Sequence, residues 1–140
     1  MSNKFWANIH GGSTHFPIAL IIASVIFDLI GYALNRQAQS RDLHAVAFYA
    51  LLLGALASFV AVLSGLMISG WHFAGAGLLA KHHLFVWPAF GLVVALAVWR
   101  LVVKQQATRH AYGAYLLVSA AASVLMALAG YWGGELQGGG

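Results

Sequence analysis

The sequence predicts an all-α, integral-membrane fold: one bundle of four antiparallel helices with both chain ends on the outer side. Three observations lead there. Of the 140 residues, 61% are hydrophobic and only 7% are charged, against roughly 25% charged in a soluble domain, so the chain could not cover its own surface in water. Four separate stretches each supply close to the ~20 apolar residues that a helix needs to cross a bilayer. The basic residues gather in short loops between those stretches, a distribution that orients membrane helices and offers no extended stripe for nucleic acid. The length suits a single domain over 1–140.

The opening "MSNKFWANIHGG" has no cleavable apolar region ahead of a small-residue site, so it does not read as a signal peptide. The first apolar run is therefore expected to remain as an anchor. That first span is predicted at about 16–34, with Pro17 in its first turn and Ser13 or Thr14 as its cap. The second, at about 45–70, is long enough to tilt or protrude. Along it Ala57, Ala61, Gly65 and Ser69 recur every four residues, as small residues do where helix backbones approach closely. The third span, about 84–104, contains Pro88, which should free the Leu84 carbonyl and re-aim the residues before it. The fourth, about 111–132, repeats the small-residue spacing at Ser119, Ser123 and Ala127, ending in Gly130.

Short connections force neighbouring spans to run antiparallel. Arg36, Arg41, Arg100, Lys104 and Arg109 then share one side, and only Lys4 and Lys81 the other. By the positive-inside rule the five face the cytoplasm and both termini face outward, toward the periplasm of a bacterial inner membrane.

This topology sorts the histidines. His10 and His15 lie at the outer start of span one, His72 past the outer end of span two, and His82 and His83 at the outer start of span three. His44 and His110 fall on the inner side. Neutral imidazole is a ligand for haem iron, zinc and copper, and bundles hold cofactors with side chains from facing helices. A b-type haem needs two axial imidazoles and an apolar slot. His15 and His82 are the first choice of ligands, with His10, His83 and His72 as further candidates. Gly65 sits in a small-residue groove, on the helical face leading to His72, that could receive the ring edge. Phe16, Trp71, Phe73, Phe85 and Trp87 could line the slot. His82 and His83 are about 100° apart on a helix and cannot both face one iron, and one haem is favoured over two. The alternative is that these histidines only populate the lipid–water boundary, as Trp6, Trp71, Trp87 and Trp132 do at that level.

Asp28 lies roughly 18 Å into span one at 1.5 Å per residue. A carboxylate at that depth marks a function or an internal pair. Arg100, Tyr49 and Tyr115 are the candidate partners, and a register-fixing buried pair is preferred over a proton acceptor or quinone contact. Glu135, at the outer end, could accept a hydrogen bond from a ligating histidine.

Three strings, "IHGGSTHFPIAL", "VIFDLIG" and "LAGYWGGEL", resemble the H-x4-HFPIAL opening, the helix-one continuation and the GYxGGEL ending of a family of small bacterial four-helix membrane proteins catalogued as a domain of unknown function. By position, the family's paired histidines match His10 and His15, its helix-one aspartate Asp28, its third-helix histidine most simply His82 (preceded by Lys81), with His83 as the alternative, and its closing acid Glu135. Members often continue with an aromatic and a His-Gly pair, where this chain has "QGGG". The resemblance implies the fold and carries no activity.

Without cysteine there are no disulfides, thiolate clusters or covalently attached haem. A phosphate loop, a nucleophile elbow and H-E-x-x-H are also missing, so a soluble-enzyme reading fails. The expected function is a haem b electron-transfer subunit, rather than a stand-alone enzyme. It would work between a membrane quinone and a periplasmic cytochrome or other redox subunit, within a membrane complex. The competing expectations are a non-redox structural subunit of such a complex and a protein that handles divalent metal ions.

Overall fold

The computed structural model describes residues 3–34, 37–103 and 106–138. The chain forms α1 (Asn3–Ser13), α2 (His15–Leu34), α3 (Ala38–Ser69), α4 (Leu78–Val103) and α5 (Arg109–Gly138). The described residues contain no strand. Four apolar helical stretches are long enough to cross a membrane, with α1 and α2 counting as one. Between 28% and 39% of each apolar window is buried inside the bundle. The rest presents Leu53, Leu56, Leu84, Val102, Leu117 and other large apolar side chains outward, far more than a soluble surface carries. In lipid the same faces are solvated, and each backbone N–H and C=O must be paired inside its own helix.

The first span starts earlier than the sequence predicts. α1 leads into α2, and the Thr14 N–H still reaches the His10 carbonyl at 3.0 Å. Pro17 cannot supply an N–H to the Ser13 carbonyl, which fits the interruption at residue 14. Ser13 and Thr14 do not cap α2. Their hydroxyls bond backward to the carbonyls of His10 and Gly11, because a preceding helical turn offers those acceptors. The other helices also outrun their expected limits. α3, at 32 residues, is roughly 48 Å long and exceeds the ~30 Å hydrocarbon core. It ends on Gly70 in the left-handed conformation, with N–H groups of Gly70 and Trp71 both on the Leu66 carbonyl. Thr108 caps α5 through Oγ1, 3.2 Å from the Ala111 N–H. Pro88 lies ten residues inside a continuous α4.

α2 packs most extensively on α3, and α4 on α5. Contacts of α2 with α5 and of α3 with α4 close the ring, and α1 lies against α3. Close approach depends on glycine: a Cβ on Gly54 would meet Ile21 at 2.8 Å, and one on Gly130 would meet Ile18 at 2.8 Å. Small residues line the α3 interior, but on a face set by Gly54, Ser58, Ala61 and Ser64, whereas Ala57 is only partly covered.

All four spans show the same order along the bundle axis. At one end, with the termini and the α3–α4 loop, is a cavity. In the middle is an apolar plug of Ile21, Leu51, Val93, Leu96, Leu116 and Ala122. At the other end is a buried polar cluster around Asp28.

Candidate functional site

The cavity has a volume of about 750 Å³, within the usual span of cofactor and ligand sites, about 300–1,000 Å³. All five helices contribute to its walls, which are mostly apolar or glycine, with His10, His15, His82 and His83 as the main polar side chains. His10 comes from α1 and is held against α3. Its Nδ1 donates to the Ala61 carbonyl at 2.9 Å and lies 3.0 Å from the Ser64 hydroxyl, which itself donates to Ala61. His82 comes from the first turns of α4 and is held against α5, with Nδ1 donating to the Ala129 carbonyl at 2.9 Å. A carbonyl only accepts, so each ring carries its proton on Nδ1 and keeps its lone pair on Nε2. Both imidazoles line this one cavity.

Both rings sit where a helix lacks a side chain. A Cβ on Gly65 would lie 3.0 Å from His10 Cε1, and one on Gly133 would lie 3.2 Å from His82 Cε1. Gly65 therefore makes room for the imidazole as well as lining the cavity. Gly133 was not singled out from sequence. Its partner is on another helix, and only the "GYWGGEL" run hinted at it.

The other candidates are placed differently. His15 lines the cavity but is largely exposed. It opens α2, past the interruption at residue 14, whereas His10 belongs to α1. His83 also lines the cavity, and its ring lies 5.9 Å from that of Trp87. His72 does not line it. α3 stops at Ser69, so the helical face expected to carry His72 past Gly65 no longer exists there, and its Nδ1 turns back to the Ser69 carbonyl. Of the proposed aromatic lining, Trp87 is at the cavity, donating Nε1–H to the Phe73 carbonyl at 2.9 Å. Phe16, Trp71 and Phe73 are exposed, and Phe85 is not part of the wall. Glu135 is exposed and outside the wall. It follows Ala129 by six residues, on another face of α5, and that carbonyl already holds His82. Among the described residues, no group of three or more His, Asp or Glu gathers to hold a bare metal ion.

At the opposite end, Asp28 is 0% exposed. Oδ2 accepts from Arg100 Nη1 at 2.8 Å and from the Tyr115 hydroxyl at 3.0 Å. Oδ1 accepts from His44 Nδ1 at 2.8 Å and from the Tyr112 hydroxyl. Arg100 also donates to the His44 carbonyl and the Tyr112 oxygen. One carboxylate thus ties together α2, α3, α4 and α5. Arg100 and Tyr115 are the partners expected from depth. Tyr49 is 63% exposed and points away, whereas His44 and Tyr112 were not foreseen. Arg100 belongs to this interior network, so the loop charge at this end rests on Arg41 and Arg109, with Arg36 and Lys104 outside the described residues.

A family model described as "Predicted membrane protein (DUF2231)" matches residues 7–138. The chain belongs to the DUF2231 family. That match takes in both ends of the bundle, with the cavity histidines and the Asp28 cluster. No curated protein and no solved structure matches this DUF2231 chain.

Proposed function

We propose that this DUF2231 protein is a b-type cytochrome-like electron-transfer subunit, with one haem in the cavity and His10 and His82 as its axial ligands. The observation that carries the reading is the pair of imidazoles from opposite helix pairs, each with Nδ1 held by a main-chain carbonyl and Nε2 left as a lone-pair donor. Metal-binding histidines are typically oriented through their other nitrogen in this way. Two imidazoles suffice for a porphyrin iron, because the ring's own nitrogens supply the remaining ligands. The apolar walls and a volume near 750 Å³ suit a flat, largely apolar ring.

When bound, the haem supplies one-electron exchange at its iron. The chain supplies the rest. Ala61, Ser64 and Ala129 fix the two imidazoles, Gly65 and Gly133 leave space for them, and the plug around Val93 keeps water from crossing behind the cavity. The end bearing the basic loops faces the cytoplasm of a bacterial inner membrane, and the cavity end faces out. The haem would then lie between a membrane quinone and a periplasmic cytochrome or a partner subunit of a larger complex. His10 thereby replaces His15 as the preferred partner of His82, because His10 is the ring that the main chain orients.

The test is optical. Protein expressed with ample haem should be red, with a Soret band that sharpens on dithionite reduction and a pyridine haemochrome near one haem per chain. His10→Ala and His82→Ala should each abolish the six-coordinate spectrum, and His15→Ala should retain it. A colourless preparation would sink the proposal and leave a structural subunit. Metal analysis returning zinc or copper in place of iron would favour metal handling.

A further inference from the structure

We infer that α1 is a hinged flap over the cavity, latched to α3 by the His10 ring, and that its release opens the cavity to the outer side. None of residues 4–13 is buried, whereas α2 to α5 each bury several side chains. α1 packs on α3 and only lightly on α2. Yet Ala7, Asn8, His10 and Gly11 all form part of the cavity wall. A helix of 11 residues has little stability of its own, since isolated helices shorter than ~12–15 residues are marginal in water. Its contact with α3 is what keeps α1 in place. Among the described residues, His10 is the α1 side chain that hydrogen-bonds another helix, through Nδ1 to the Ala61 carbonyl and the Ser64 hydroxyl. The same ring fills the notch left by Gly65, where a Cβ would lie 3.0 Å from its Cε1. One imidazole thus supplies both the polar contact and the steric fit of the docking.

The pivot is at the far end of α1. The helix breaks at residue 14, and the bond from the Thr14 N–H to the His10 carbonyl spans the break. Pro17 leaves the Ser13 carbonyl without its helical donor. Gly11 and Gly12 precede the break, and a Cβ on Gly12 would meet nothing within 4 Å. Glycine adds backbone freedom there. Just beyond the break, Pro17 and Ile21 are buried. The pivot therefore joins a lightly held helix to a firmly packed one, which confines opening to α1. Swinging α1 away removes one wall of the cavity, so a ligand enters without parting α2 to α5. The flap does not depend on what the cavity holds.

The experiment reads the position of α1 in full-length protein in detergent, without haem. Lys4→Cys with Glu135→Cys puts spin labels on exposed residues of α1 and α5, in a chain with no cysteine of its own. The otherwise wild-type protein should give one narrow distance. His10→Ala removes the ring and Gly65→Ala fills its notch. Each should broaden the distribution by about 5 Å, because residue 4 lies roughly 15 Å from the pivot and a swing of about 20° moves it that far. His82→Ala, which empties the same cavity from α4, should leave the distance narrow. Separately, Ser58→Cys places a thiol at a buried position on the cavity wall. A maleimide should label it about fivefold faster when His10→Ala or Gly65→Ala is added, the population change from losing one ordinary hydrogen bond. One of those variants enlarges the cavity and the other shrinks it, so volume does not explain a shared gain. Three results would overturn the inference: the same distance in wild type and both latch variants, an equal broadening in His82→Ala, or a labelling rate unmoved while α1 swings. They would mean an α1 that does not need the latch, a general loosening, and an entrance elsewhere. A colourless protein leaves the flap standing, and a fixed α1 leaves the haem reading standing.

Discussion

At the scale of single residues, Asp28 shows how a charge is kept inside a membrane bundle. A carboxylate has about four lone-pair directions, and here four side-chain donors occupy them. Removing the charge leaves the Arg100 guanidinium, only 3% exposed, without its counter-ion. Asp28→Asn should therefore cost about 3–5 kcal/mol, read as a lowered thermal midpoint in detergent. Replacing both partners, Asp28→Leu with Arg100→Met, should cost clearly less than the sum of the single changes, since no charge is then stranded. A double variant as unstable as that sum would show that the pair does not act as a unit. Sequence depth alone pointed to Arg100 and Tyr115. It failed for Tyr49, five residues from His44 on α3. Depth says nothing about azimuth, and those positions lie about 140° apart.

At the scale of elements, a repeated device joins the helices: a glycine on one admits an imidazole from another. Gly31 faces His44 at 2.9 Å from a would-be Cβ, Gly65 faces His10 and Gly133 faces His82. Gly31→Ala should destabilise the fold by about 1–3 kcal/mol, as overpacking does, without changing any haem spectrum, because His44 lies at the other end. Gly65→Ala and Gly133→Ala should each displace a cavity imidazole and, with haem in the cavity as proposed, weaken its retention, measured by haem transfer to an acceptor protein. Gly91 is the control. A Cβ there meets nothing within 4 Å, and Gly91→Ala should be neutral or stabilise by about 0.5–1 kcal/mol, since alanine loses less backbone entropy in a helix. The glycines were visible in the sequence as small residues, but not their partners, because each pair joins residues far apart in the chain.

For the whole molecule, antiparallel connectivity sets the cavity at one end and the ion pair at the other, with an apolar plug between. The side each end faces is open to a direct measurement, because the chain has no cysteine of its own. Gly138→Cys and Gln106→Cys lie at opposite ends, on described and exposed residues. In intact spheroplasts a membrane-impermeant maleimide should label Gly138→Cys, and should reach Gln106→Cys only after lysis. The reverse pattern would invert the orientation and move the cavity to the cytoplasmic side.

Composition and hydropathy by themselves determined the membrane, the four spans and their alternation, because lipid solvation acts on each segment independently of the others. They also carried the gathering of His10, His15, His82 and His83 at one end, which follows from counting crossings. Tertiary structure alone decided which of those rings the backbone orients, that His72 falls off the end of α3, and which groups answer Asp28. Those outcomes depend on the rotation of each helix about its axis and on where each helix stops. Contacts between distant segments set both.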